Sequence, residues 1–520
     1  MRYKLIPFLL LLFALPASAT NRYVTQTGST SGGCTSGVIS LATFNGTTLS
    51  PGDVVLFCGI ISGEIDPQGS GSAGSNIILR FDTGAKWSVT GVPGFSQFVY
   101  LDGLGYITID GGTPCGSPAL TCNGQIQYLN VGTAFGSTDY PRVISVNSGT
   151  HDLEIKNMEL GPFFIHTAQG GNFPTLYDQH TVVYGNNPGA NIHIHDSKLH
   201  DAGWVINLFG SAGTSMNYEI DHNYFHNISH GVNLGTNGAT SFGGLKFHDN
   251  IITDPANWDQ TSGSFHHDGL QITCVNTPCT VTNVQIYNNT FGGDWGSTST
   301  SPIFLEVHEG SSFFDTNIVV FNNLFQNTNT SNGWSNGINL LGHSGVLAYN
   351  NTVICSSFGG IGLQVGGSST DSRNNIVTSC QMETGTGNET TSFAALNYNL
   401  YANWTTGGGG NAFSYNGSNT SGANLAAHFS NWKTLVGGGV EANSATNSTA
   451  NLNSSGVPQT GSVAINAGQN LTSLCGTYPP LCSDRNGVAR PSSGAWTMGA
   501  FVAGGSGPPA TPTGLTVVWF

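Results

Sequence analysis

The chain has 520 residues and only 8% charged side chains, where an ordinary globular protein carries about 25%. Acidic residues outnumber basic ones 28 to 13, for a net charge of −15, a field that repels phosphate backbones and excludes nucleic acid as a partner. Apolar residues still make up 38%, with 28 Phe, 16 Tyr and 9 Trp, enough to fill a core, while the many Gly announce turns and exclude long charged helices.

Residues 1–19 read as a secretory signal: Arg2 and Lys4 form the positive end, Leu5 to Leu15 the apolar run, and Ala17-Ser18-Ala19 the small-residue cleavage site. The run is too short to span a bilayer, and no later stretch is apolar for long enough. The expected mature protein is exported, without a membrane span, and monomeric. In that compartment the ten cysteines read as disulfides. Proximity pairs Cys34 with Cys58, Cys115 with Cys122, Cys274 with Cys279, Cys355 with Cys380, and Cys475 with Cys482.

From residue 151 to about 400 the sequence repeats. The segments are LEIKNMEL from Leu153, IHIHDSKLH from Ile192, YEIDHNYFH from Tyr218, LKFHDNIIT from Leu245, VQIYNNTFG from Val284, IVVFNNLFQ from Ile318, VLAYNNTVI from Val346 and DSRNNIVTS from Asp371. Each alternates apolar and polar residues, then turns at an Asn/Asp pair. Ser197, Asn223, Asn250, Asn289, Asn323, Asn351, Asn375 and Asn399 occupy the turn, where Asn tolerates left-handed backbone and bonds its neighbours above and below. A second alternating series runs VINLF from Val205, GVNLG from Gly231, GLQIT from Gly269, FLEVH from Phe304 and GINLL from Gly337. Short strands of this kind bury their apolar face only by stacking turn on turn into parallel sheets.

This pattern resembles the all-β, right-handed parallel β-helix of the pectin-lyase-like superfamily. The solenoid is expected over 20–504, with YVTQTGSTSGGC from Tyr23 and LSPGDVVLFCG from Leu49 as its opening and DRNGVARP from Asp484 with MGAF from Met498 as its close. Residues 505–520 read as a Pro/Gly linker running into a fragment similar to the start of a fibronectin-type module.

In that superfamily the substrate groove usually follows the second strand series. Alternation there makes Ile206, Leu208, Val232, Leu234, Leu270, Ile272, Leu305, Val307, Ile338 and Leu340 core, and leaves Asn207, Asn233, Gln271, Glu306 and Asn339 as an outward column at ~4.8 Å per rung. Amides offer donors and acceptors to sugar hydroxyls. Phe265-His266-His267-Asp268-Gly269-Leu270-Gln271 is similar to the Asp-Gly strand of polygalacturonases and pectate lyases. Asp268 matches the first acid of the polygalacturonase pattern, Gln271 replaces the second, and the downstream basic motifs are missing.

The expected chemistry is glycosidic cleavage of a polysaccharide, with hydrolysis by the carboxylates Asp268 and Glu306 assisted by His266 and His267. His230, His308 and Glu309 join Asn207, Asn233, Gln271 and Asn339 as substrate contacts. No cofactor is required; His266, His267, Asp268 and Glu306 are the candidate ligands for Ca2+, or less favourably Zn2+. Two alternatives are β-elimination, with Ca2+ assisting, and carbohydrate binding without catalysis. A rival site lies on the first series, at His193, His195, Glu219, Asp221, Lys246 and His248, where charges alternate between rungs as in a cross-rung ladder. Trp204, Trp258, Trp295 and Trp334 fall in loops as sugar platforms or caps. Fourteen of the 15 His lie between His151 and His343, which puts the working region in the middle of the chain.

Overall fold

The computed structural model describes residues 19–503 apart from 91–96, 130–141, 164–180, 211–212, 214, 237–240, 256–266, 275–279, 296–298, 306–315, 330–335, 341–343, 356–360, 366, 385–391, 405–411 and 438. Its strands form two long parallel arrays. One is a 14-stranded sheet that begins with Val38–Ser40 and Asn21–Thr25 and ends with Phe393–Asn397; the other has 23 strands and winds around the remaining faces. Each coil contributes to both, which makes a right-handed parallel β-helix.

Alternation sets what is inside. Ile155, Ile194, Ile220, Phe247, Ile286, Val320 and Ala348 are partners on successive coils, and all are fully buried. Each large member contributes roughly 1.5–3 kcal/mol of burial, which no coil gains alone. The core positions expected on the second series that can be described, from Ile206 through Leu340, are buried as well.

The corner after each strand of the first sheet takes two residues. The first has left-handed backbone: Asp196, His222, Asp249, Asn288, Asn322, Asn350 and Asn374 have φ of 51° to 61°. The second is the buried Ser or Asn of the expected ladder. Asn289 shows the pattern: its Nδ2 donates to Phe247 O at 2.9 Å and to Asn323 Oδ1 at 3.0 Å. Its Oδ1 accepts from Asn250 N at 3.0 Å. The ladder is scaffold, as expected, but the left-handed residue is the one before it.

Four of the expected disulfides are formed: Cys34–Cys58, Cys115–Cys122, Cys355–Cys380 and Cys475–Cys482. Cys279, of the fifth pair, lies outside the described residues, as do residues 1–18 and 504–520. Two α-helices escaped the pattern, the short Leu41–Asn45 and the longer Leu425–Val436. Asn424 caps the longer helix by accepting from Ala427 N at 3.0 Å, and Trp432 stacks on Phe413 at 5.3 Å.

Residues 471–501 fold back over the first sheet. Leu471, Tyr478, Leu481 and Trp496 pack on Tyr287, Val319, Phe321 and Tyr349. Where this strap lies, the left-handed corner residues are Asn. Asn322 Nδ2 donates to Ser483 O at 2.8 Å, and Asn350 Nδ2 to Gly499 O at 3.1 Å.

Candidate functional site

Two outer faces gather polar side chains. On the first sheet, strands His151–Lys156, Ile192–His195, Tyr218–Asp221 and Ser241–His248 align Glu154, His193, Glu219 and Lys246 in one column. Lys156, His195, Asp221 and His248 form the next. His195 donates to Glu154 Oε1 at 3.1 Å and Asp196 Oδ2 at 2.8 Å. His248 repeats this one coil beyond the next, bonding Glu219 at 3.1 Å and Asp249 at 2.8 Å. Between them Asp221 accepts from His193 and His222, both at 2.6 Å. Lys156 and Lys246 add contacts to Glu154 at 3.0 Å and Glu219 at 3.4 Å.

These pairings fix the charges. The hydrogen bond from His195, against opposing burial and with Lys156 beside it, brings Glu154 down to about 2. The bond from His248 does the same for Glu219, again to about 2. Burial pulls His195 and His248 down, but two carboxylate bonds each outweigh it and leave both at about 9. Burial works against the Asp221 anion too, and His193 and His222 overcome it, holding that carboxyl below its usual range. The rival residues His193, His195, Glu219, Asp221, Lys246 and His248 are thus brought together, in the cross-rung ladder expected of them. The reading of single columns found the ladder but missed its corner members Asp196, His222 and Asp249, whose left-handed turn brings each side chain back to its neighbour.

Donor atoms of Glu154, His193 and His195 lie within 4.8 Å of one another, as do those of Asp221, His222 and His248. These are the groups of described residues that could hold a metal ion.

On the second face a row of amides interrupted by Phe304 runs Asn207, Asn233, Gln271, Phe304, Asn339 and Gln364. Phe304 stands beside Gln271 where Glu306 was expected. Sliding the strand by two residues preserves alternation, so period two could not choose between the frames. The row is also less open than a solvated face: Asn233, Asn339 and Gln364 are buried, and Asn207 and Gln271 half-buried.

Next to this row lies a mixed aromatic and acidic cluster. Trp204 and His230 are register partners, and their rings stack with centroids 4.1 Å apart. His230 meets the ring of His267 at 5.1 Å. Asp268 occupies the place on its coil that His230 holds on the preceding one, each two residues before the Val232–Leu270 pair. Asp268 Oδ1 accepts from Ser301 N at 2.9 Å. His230, His267 and Asp268 are all buried. Among the described residues, the buried atoms Trp204 Nε1 and Asn233 Oδ1 have no hydrogen-bond partner.

Of the expected site, Asp268, His267, His230, Asn207, Asn233, Gln271 and Asn339 share this face. His266, Glu306, His308 and Glu309, and with them half of the expected metal set, lie outside the described residues. Trp204 sits in the strand Lys198–Phe209 rather than a loop. Trp295 is a buried core residue whose Nε1 donates to Gly292 O at 3.0 Å, which removes it as a sugar platform. Trp258 and Trp334 are outside the described residues.

No protein-family model and no curated protein matches the chain. Among solved structures, a GH136 lacto-N-biosidase from Eubacterium ramulus is similar at a TM-score of 0.42 and 10% identity, over 76% of this chain and 66% of its own. This chain spans just under two thirds of that protein's length. A mannuronic acid specific polysaccharide family 6 lyase enzyme from human gut microbiota gives 0.36 and 11%, over 76% and 83%. Pectate lyase Pel9A gives 0.34 and 11%, over 94% and 97%.

Proposed function

We propose that this is an exported enzyme that cleaves a polysaccharide by hydrolysis, with Asp268 as its proton-transferring carboxyl. The observation that carries the reading is the pair of buried, unsatisfied atoms on the same face as Asp268: the Trp204 Nε1 donor and the Asn233 Oδ1 acceptor. Orphaned groups of this kind are rare because each costs roughly 1–3 kcal/mol. Sugar hydroxyls supply the complementary acceptor and donor. The amide row continues the binding surface along the rungs. Asp268 pairs with Ser301, five residues of chain before Glu306, which is too far for Glu306 to be the second carboxyl that glycosidic hydrolysis needs, so the proposal rests on Asp268. The four disulfides fit an exported protein.

Hydrolysis is favoured over β-elimination because the cations that elimination would draw on, Lys246, His195 and His248, are each paired with carboxylates. The test is a screen of plant, algal and microbial polysaccharides that reads reducing ends and ultraviolet absorbance together. Reducing ends without absorbance support hydrolysis; both signals replace it with a lyase, and neither leaves a binding protein. Asp268→Asn should then lower turnover at least about a hundredfold while the sugar still binds. Wild-type turnover in that variant removes Asp268 from the mechanism.

A further inference from the structure

The first sheet carries a second site, independent of the hydrolytic reading. We propose that Glu154, His193 and His195 bind a divalent transition-metal ion of the zinc class, with Asp221 completing the donor set.

His193 and His195 alternate on one strand, so both rings leave the same side of the sheet, stacked with centroids 4.0 Å apart. Glu154 is the partner of His193 on the preceding coil, and its Oε1 lies 3.1 Å from His195 Nε2. Asp221, on the following coil, places Oδ1 2.6 Å from His193 Nε2. Donor atoms of Glu154, His193 and His195 fall within 4.8 Å of one another. Tetrahedral zinc with bonds of ~2.0–2.2 Å holds its donors about 3.3–3.6 Å apart. Rotation of His193 and Glu154, whose side chains are 38% and 28% exposed, would close that difference.

The outer contacts match what orients metal ligands. His195 Nδ1 is fixed on Asp196 Oδ2 at 2.8 Å, which turns Nε2 toward the cluster, where the ion displaces to solvent the proton that Nε2 otherwise gives to Glu154. The second oxygen of Asp221 is held by His222 Nδ1 at 2.6 Å. Two imidazoles with carboxylates select zinc, nickel or copper over calcium, which takes oxygen shells. Glu154 and Asp221 balance the charge of the ion. Lys156 Nζ, 3.0 Å from the same Glu154 oxygen, competes with the metal, so Lys156→Met should tighten binding. The ion would clamp three successive coils.

The experiment is calorimetric titration of the chelator-stripped full chain with Zn2+, and with Ca2+ in parallel, followed by melting temperatures with and without Zn2+. One equivalent of Zn2+ should bind and raise the melting temperature. His193→Ala and His195→Ala should each weaken binding at least tenfold; His193 is the safer variant because its side chain is 38% exposed. His267→Ala, on the other face, should leave zinc affinity unchanged. The proposal falls if no Zn2+ binds, if both histidine variants keep wild-type affinity, if only Ca2+ binds, or if His222→Ala abolishes binding while His193→Ala does not. Because the readout needs no sugar, its failure is separate from failure of the hydrolase reading.

Discussion

The imidazole of His248 lies flat on the ring of Tyr287, centroids 4.6 Å apart and planes 5° from parallel. The contact marks a boundary on one column of the first sheet. On one side stand Lys156, His195, Asp221 and His248; on the other Tyr287, Phe321 and Tyr349 are covered by residues 471–501. The same strand geometry thus serves an open charged face and a buried aromatic one, and the two respond to different perturbations.

The charged half should give a stability optimum in mildly acidic solution. His195 and His248 rise from 6.5 to about 9 on folding, so their contribution is complete below pH about 6.5 and is lost as pH climbs through about 9. Glu154 and Glu219 fall from 4.5 to about 2; theirs is complete above pH about 4.5 and is lost on acidification through about 2. Melting temperature against pH should therefore be highest between about 4.5 and 6.5. His248→Gln should flatten the alkaline limb, and an unchanged limb in that variant would show the pairings carry no net stability.

The aromatic half should be sensitive to deletion of volume. Trp496 is fully buried against the column, and truncating such a ring to Ala typically costs 3–5 kcal/mol. Trp496→Ala should show that loss in denaturant unfolding and open residues 471–501 to limited proteolysis. A loss below about 1 kcal/mol would mean the strap is not packed as described.

Asn289→Ala tests the corner ladder. The change strands the Asn250 backbone amide and the Phe247 carbonyl in the core, while Asn323 Oδ1 keeps the Asn289 backbone N–H. At roughly 1–3 kcal/mol per unsatisfied group, the variant should lose at least about 2 kcal/mol, read by chemical unfolding. Near-neutral stability would demote the ladder to a passive filler.

The ladder was legible because its spacing repeats: Asn250, Asn289 and Asn323 fall at the same place in each segment, and burial at a corner leaves few residues that satisfy the backbone. Frame and side-chain contacts were less so. Phe304 and Glu306 sit two residues apart, and alternation is blind to a slip of two, so the amide row was drawn with the wrong member. Trp204 was expected in a loop, yet its strand continues through a corner at Asp201, whose φ is 51°. Corner pairs such as His195–Asp196 join residues adjacent in sequence, which strand periodicity places on different elements.

Solenoids ordinarily unzip from an end, because each repeat meets only its neighbours. The strap removes that freedom here. Arg490 Nη2 donates to Asn322 Oδ1 at 2.8 Å across 168 residues of chain, and Asn350 reaches Thr497 and Gly499 across 147 and 149. Contacts at that separation raise the contact order of a fold otherwise built coil by coil, which slows its completion. They also lock the coils from Tyr287 to Arg373 to one another, so that this stretch opens as a block rather than rung by rung.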